Sequence, residues 1–232
     1  MGRIEVYIAD HKKLRLSKGL DELMESLTEQ EREKILRFKF DADRIRGTAG
    51  AIMIRAEAFR SFPGENCVIA ASEHGKPYLE GHREFEFNLS HSGDLIVLAT
   101  NDTPVGVDVE EIKAKDWRIF HRYLTSEEMS MIESSDDQEA AFFKVWTIRE
   151  AFAKEEGLGL AILDRSFTVD YDSCSISYEG RRLLFSSTGY TSFEGGRYMI
   201  SVCTSGSIKE INYHDLSPEE WKEILVNIPA CF

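Results

Sequence analysis

Apolar and polar residues alternate from Ile4 to Ala9, which predicts a strand at the head of the chain. A helix is expected from about Asp21. Another should follow Thr28-Glu29-Gln30-Glu31, where an acid three residues behind a threonine has the spacing of a capping box. That second helix should turn Ile35, Leu36 and Phe38 inward and leave Arg32, Lys34 and Arg37 on its other faces. From about Asp41 to Phe59, Ile45, Ala49, Ile52, Met53 and Ala56 recur at helical spacing, with Arg44, Arg46 and Arg55 set among them.

After Pro63-Gly64 the period shortens to two. Phe85, Phe87 and Leu89 alternate with polar residues, Leu95 to Ala99 is an apolar run, and Val105, Val107 and Val109 alternate again. The breaks at His91-Ser92-Gly93-Asp94 and Asn101-Asp102-Thr103-Pro104 are short and rich in turn formers, so these segments read as a three-strand meander. In a meander the first and third strands run the same way, which sets Ser90 and His91 at the same end as Asp108 and Glu110. The valines of the third strand then face one side and Asp108 and Glu110 the other.

Further along, Trp117 to Tyr123 and a helix start at Thr125-Ser126-Glu127-Glu128 precede a polar break at Ser134 to Asp137. The strongest helical pattern runs from about Gln138 to Glu156, with Gly157 as its stop signal. Phe167 to Cys203 alternates in short strands, and Ser217-Pro218-Glu219-Glu220-Trp221 opens a last helix with proline at its first position. Strands and helices mix in order, so the class is α+β. A boundary near residue 102 divides the chain into halves 1–102 and 103–232.

Composition narrows the classes. The 232 residues suffice for one large domain or two small ones, with 42% hydrophobic and 30% charged residues as in ordinary soluble chains. A formal net charge of −13 argues against nucleic acid or an anionic membrane as partner and still permits a local basic pocket. Cys67, Cys174, Cys203 and Cys231 lie far apart and are expected to be reduced packing residues. With no leader-like apolar run at the start and no stretch of transmembrane length, the expected compartment is the cytoplasm.

Two acidic motifs carry chemistry. Gly106-Val107-Asp108-Val109-Glu110 offers two carboxylates from one face of a strand. Trp146-Thr147-Ile148-Arg149-Glu150-Ala151-Phe152-Ala153-Lys154 offers a carboxylate and an ammonium from one edge of a helix. Glu150 lies beside Trp146 and Phe143, where a carboxylate is costly without a compensating cation. Three carboxylates suit Mg²⁺, which takes oxygen ligands and keeps room for substrate phosphates. Each feature also has a plainer reading: an exposed Glu–Lys pair four residues apart on a helix, acids at a strand end, a turn histidine at His91, solvated charges at Lys34, Arg46, Arg55 and Lys76. There is no Gly-x-Ser-x-Gly elbow, and Gly157-Leu158-Gly159 is too short for a dinucleotide or phosphate loop.

In order and spacing, Gly75-Lys76-Pro77, Phe87-Asn88-Leu89-Ser90-His91-Ser92, Gly106 to Glu110, Trp146 to Lys154 and Glu156-Gly157-Leu158-Gly159-Leu160 resemble the 4′-phosphopantetheinyl transferases of the single-chain Sfp type. The likeness runs from about Thr28 to Leu160. It implies two similar α+β halves with pseudo-twofold symmetry and an active site at their junction. It also implies transfer of phosphopantetheine from coenzyme A to a serine of an apo acyl, peptidyl or polyketide carrier protein, with release of adenosine 3′,5′-bisphosphate. The internal symmetry implied by the family makes a monomer the expected state.

By position, the resemblance implies Asp108, Glu110 and Glu150 as Mg²⁺ ligands, Lys154 beside the pyrophosphate and His91 on a phosphate. It assigns Asn88 to His91 and Lys76-Pro77 to coenzyme A segments, and Arg46 (or Arg44) to the nucleotide 3′-phosphate. Glu128 aligns with a glutamate considered as base for the carrier serine. Arg149 stands where lysine is usual and keeps the charge; of two lysines in the early helix only Lys34 remains, the other position being Glu31. An acidic carrier should be repelled at −13, so docking is expected on a local patch around Phe120, Arg122, Tyr123 and Leu124. Two other classes stay open: a different Mg²⁺-dependent enzyme of phosphate esters, and a non-catalytic carrier-binding module.

Overall fold

A computed structural model of the chain describes residues 2–16, 19–65, 67–73, 75–164 and 166–227. Cys231 and the side chain of Leu160 lie outside them. The first strand, β1 (Arg3–Asp10), is followed by helices α1 (Leu20–Glu25), α2 (Glu29–Leu36) and α3 (Asp41–Ser61). A small hairpin of β2 (Ile69–Ala71) and β3 (Pro77–Leu79) leads to β4 (Glu86–Ser92), β5 (Leu95–Asn101) and β6 (Val105–Glu111). A 3₁₀ turn at Trp117–Tyr123, then α4 (Ser126–Glu133) and α5 (Gln138–Glu156), precede β7 (Thr168–Asp170), β8 (Ser175–Tyr178), β9 (Arg181–Thr191) and β10 (Arg197–Thr204). The described chain ends with β11 (Glu210–Asp215) and α6 (Pro218–Asn227).

The strands form two main sheets, ordered β11-β1-β5-β4 and β6-β10-β9-β8-β7. Alternation along the strands builds three cores from them. Ile96 and Leu98 of β5 face α3, whereas Leu95, Val97 and Ala99 meet Val105, Val107 and Val109 of β6 and Ile200 and Val202 of β10. Phe142, Val145, Ile148 and Phe152 of α5 cover the far face of the second sheet with Ile176, Leu183 and Cys203. The layers are therefore helix, sheet, sheet, helix, and the class is α+β as expected.

The meander is the first correction. β5 is flanked by β1 and β4, both antiparallel to it, so neither of its edges is open to β6. β6 instead opens the second sheet, paired with β10. The 102/103 boundary falls in the β5–β6 connection, but β11 returns to pair in parallel with β1, and Trp221 of α6 sits in the core under α3. Residues 210–227 thus pack with the first half.

Local signals agree with the elements. Thr28 and Thr125 each close a capping box, with Glu31 and Glu128, and Asp137 caps α5 by accepting from Ala140 N at 3.0 Å. Gly157 ends α5 at φ 71°, a left-handed turn that favours glycine. Ile35 is buried, but Leu36 and Phe38 are 53% and 42% exposed, against the inward orientation expected of them: α2 is short and buries little besides Ile35. Cys67, Cys174 and Cys203 are free thiols; only Cys203 is buried, so the packing role fits it and not the exposed Cys174. No helix among the described residues is long and apolar enough to cross a membrane.

Candidate active site

β4 and β6 are edge strands of different sheets, laid side by side across the seam. Side chains of β4 bond the backbone of β6: Val107 N donates to Asn88 Oδ1 at 2.9 Å, Val109 N to Ser90 Oγ at 3.3 Å and Glu111 N to Ser92 Oγ at 3.1 Å. The constant offset means the strands run the same way. Ser90 and His91 therefore share an end with Asp108 and Glu110, as expected, but through this seam and not through a meander.

α5 lies against β6 closely enough that a β-carbon on Gly106 would collide with Ala151 O and Glu155 N. The glycine of the acidic motif thus brings the two motifs together. Lys154 Nζ reaches Asp108 Oδ1 and Ser90 Oγ, each at 2.7 Å, and Ser90 Oγ donates to Asp108 Oδ1 at 2.9 Å. Asp108 is only 4% exposed and its Oδ2 is buried without a hydrogen-bond partner. Ser92 Oγ donates to Glu110 Oε2 at 2.8 Å.

The electrostatics follow from this crowding. Burial first, then the Asp108 charge, push Glu150 up to about 7 against the pull of Lys154, with Glu110 adding to the rise. Burial also raises Asp108, opposed by Lys154 and Ser90, and raises Glu110, where the Asp108 charge adds to it. His91, open to solvent on one side, is lowered by the protein packed around it, then by the nearby charges of Arg46 and Lys154. Arg46 is anchored by Gly93 O at 2.8 Å and Asp43 at 2.6 Å, and its Nε is buried without a partner. Arg44 is fastened elsewhere, to Asp41 and Phe38 O.

Asp108, Glu110, Glu150, Lys154 and Ser90 are thus brought together, and the charges of Lys154 and Arg46 reach His91 at the same strand end. Among the described residues, no three His, Cys, Asp or Glu side chains form a finished metal cage; Lys154 holds one Asp108 oxygen at 2.7 Å. The other residues are placed differently. Lys34 is exposed on α2, and Glu31 is engaged by its capping box and by Arg55 at 2.9 Å. Lys76 Nζ donates to Glu155 O at 2.8 Å and Val105 O at 3.4 Å, joining the β2–β3 hairpin to the end of α5; Pro77 starts β3 beside it. Burial lowers the Lys76 pKa.

Glu128 is engaged in a buried network. It is 3% exposed, and its oxygens take Arg149 Nε and Nη2, Tyr171 Oη and Thr125 N. Arg149 is equally buried and stacks over Phe167, so its replacement of a lysine is no neutral exchange: the planar fork is what the buried carboxylate uses. Sequence reading missed this pair because its members stand 21 residues apart on different helices. The expected docking patch is also only partly at the surface. Phe120 packs on Phe142 and Trp146 and Leu124 is buried, while Arg118, Ile119 and Arg122 face outward. A cavity of about 520 Å³ between α3 and α6, lined by Tyr7, Glu57, Arg60 and His214, shares no residue with the cluster.

Comparison with known proteins adds to this geometry. Residues 16–103 match the family model described as "4′-phosphopantetheinyl transferase, N-terminal", and residues 104–203 that of the 4′-phosphopantetheinyl transferase superfamily. The chain is 36% identical over 155 residues to 4′-phosphopantetheinyl transferase psf-1 of Bacillus pumilus, covering 65% of this chain and 66% of that protein. It is 31% identical over 153 residues to 4′-phosphopantetheinyl transferase Sfp of Bacillus subtilis (strain 168), covering 64% and 68%. To the L-aminoadipate-semialdehyde dehydrogenase-phosphopantetheinyl transferase of Mus musculus it is 31% identical over 156 residues, 59% of this chain and 50% of that one.

Proposed function

The chain belongs to the 4′-phosphopantetheinyl transferase superfamily, and we propose that it moves the phosphopantetheine group of coenzyme A to a serine hydroxyl of an apo carrier protein, releasing adenosine 3′,5′-bisphosphate. The observation that carries this reading is the convergence of Asp108, Glu110, Glu150 and Lys154 beside Ser90 and His91 at the seam. A phosphatase or nucleotidyl transferase has no need of that seam, and a binding module has no need of mutually repelling buried acids.

The residues fit Mg²⁺. Asp108, Glu110 and Glu150 offer only oxygen donors, Asp108 Oδ2 is buried without a partner, and Asp108 raises the pKa of both other acids, a repulsion that a cation relieves. When bound there, Mg²⁺ supplies charge neutralisation for the pyrophosphate of coenzyme A. The chain's own groups do the rest. Arg46, His91 and Lys154 form the cationic and polar side that receives the phosphates, with Asn88 and Ser90 lining the strand beneath. Lys34 and the Lys76-Pro77 turn are proposed contacts of the outer part of coenzyme A.

In the transfer the serine oxygen bonds to the β-phosphorus as the bond from that phosphorus to the bisphosphate oxygen breaks. A water held by a carboxylate of the cluster receives the serine proton. Lys154 stabilises the departing oxygens. With its pKa lowered, His91 is neutral at pH 7 and serves as a hydrogen-bond donor from its ring N–H. We further propose a cytoplasmic monomer that uses no nucleic acid or membrane.

The test is intact mass of an apo carrier after incubation with the protein, coenzyme A and Mg²⁺, beside a chelated control. The expected result is a gain of one phosphopantetheine that vanishes on chelation. No gain on peptidyl, polyketide or fatty-acid carriers, with the protein folded, overturns the reading.

A further inference from the structure

We propose that Ser92, together with Ser90, is a positioning residue for the acidic site: each serine hydroxyl ties the open edge of β6 to β4 and aims one carboxylate. This rests on the reading of Asp108 and Glu110 as metal ligands and extends it to the residues that hold them. The geometry is repeated. Ser90 Oγ accepts from Val109 N and donates to Asp108; one step along both strands, Ser92 Oγ accepts from Glu111 N and donates to Glu110. Each carboxylate precedes by one residue the amide that its serine accepts.

Counting lone pairs fixes the direction of these bonds. A hydroxyl has one proton and two acceptor sites. Both acceptor sites of Ser90 are filled, by Val109 N and the Lys154 ammonium, so its proton is committed to Asp108. An ionised carboxylate only accepts, so Ser92 likewise gives its proton to Glu110. The serines also solve a backbone problem. β6 is the edge of its sheet, and Val109 and Glu111 would otherwise present amides to the seam with no ladder partner.

The consequence is mechanical. The metal-site acids belong to one sheet and the groups that aim them to the other, so the seam between the halves sets the carboxylate geometry. Groups that orient ligands in this way typically alter metal affinity by roughly 10–100-fold when removed. Ser92 is the cleaner probe because Ser90 also holds Lys154, whereas the hydrogen bonds of Ser92 go to Glu110 and Glu111 N.

The experiment is Mn²⁺ binding to the full chain, followed by electron paramagnetic resonance with and without coenzyme A, for wild type, Ser92→Ala, Ser92→Thr and Asp108→Asn. Expected are loss of the site in Asp108→Asn, a rise of about ten-fold in the Ser92→Ala dissociation constant, and recovery to near wild type in Ser92→Thr, which keeps the hydroxyl. Ser92→Cys, similar in size but a poor donor, carries the same test if the alanine variant does not fold. Unchanged affinity in Ser92→Ala, or equal weakening in the alanine and threonine variants, overturns the positioning role. Wild type that binds no Mn²⁺ overturns the metal reading, and the positioning role with it.

Discussion

Arg149 of α5 grips Glu128 of α4 with both arms of its guanidinium, at 3.1 and 2.7 Å, while Glu150, the next residue, faces the opposite task at the seam. Consecutive residues of one helix are rotated by about 100°. One therefore anchors the helix to its own half while the other reaches the acidic cluster at the seam.

Glu128→Gln is accordingly expected to reduce stability by about 3 kcal/mol, since it leaves the Arg149 charge buried against a neutral partner. The pH dependence of transfer per folded molecule should keep its shape. Urea denaturation and a pH–rate profile check both parts. Loss of the acidic limb of the profile in Glu128→Gln would restore Glu128 as the base.

Much of this was legible because the signals are local. Alternation marked β1, β4 and β6, threonine caps marked α2 and α4, and the two acidic motifs marked the site. Strand partners are not local. β6 reads as a neighbour of β5 until β1 and β4 are known to occupy both its edges, and β11, with its mixed pattern, gains its identity only by pairing with β1. Ser90 does lie against Asp108, and His91 shares its strand end, but the two strands meet across the seam and not within one sheet. The uses of Lys76 and Glu128 depend on carbonyls and a guanidinium distant in sequence, for which one chain carries no marker.

Gly106→Ala should be severe. Its β-carbon would meet the backbone of α5 at Ala151 and Glu155, where no side chain can swing away. Overpacking of this kind costs about 1–3 kcal/mol or more. The displaced helix should also lose the Lys154–Asp108 contact, so transfer by the folded fraction falls as well. A melting temperature close to wild type with normal transfer would mean that α5 is not seated as tightly on β6 as described.

The acids make the metal-free protein sensitive to pH. Glu150 titrates near 4.5 when unfolded and at about 7 when folded, so the folded state holds the extra proton between those values. Stability of the chelated protein should then fall as pH rises from about 4.5 to about 7 and level off above, with Asp108 and Glu110 adding in the same direction. Glu150→Gln removes its share, so its melting temperature should gain on wild type across that window. Parallel curves for the two proteins would count against the raised pKa.

Lys154 and Asp108 form a partly buried pair in which the carboxylate is far less exposed than the ammonium, 6% against 28% of the side chain. Removing the lysine leaves a charge with only Ser90 and backbone to satisfy it. Lys154→Met should therefore cost about 2–3 kcal/mol, somewhat less than a fully buried pair, and abolish transfer, since the cation proposed for the departing oxygens is gone. Adding Asp108→Asn removes the stranded charge, so the double variant should be more stable than Lys154→Met alone, though equally inactive. Chemical denaturation of the single and double variants measures the coupling. Additivity within about 0.5 kcal/mol would mean that the two groups do not depend on each other, and the site would lose the pair around which Ser90 is organised.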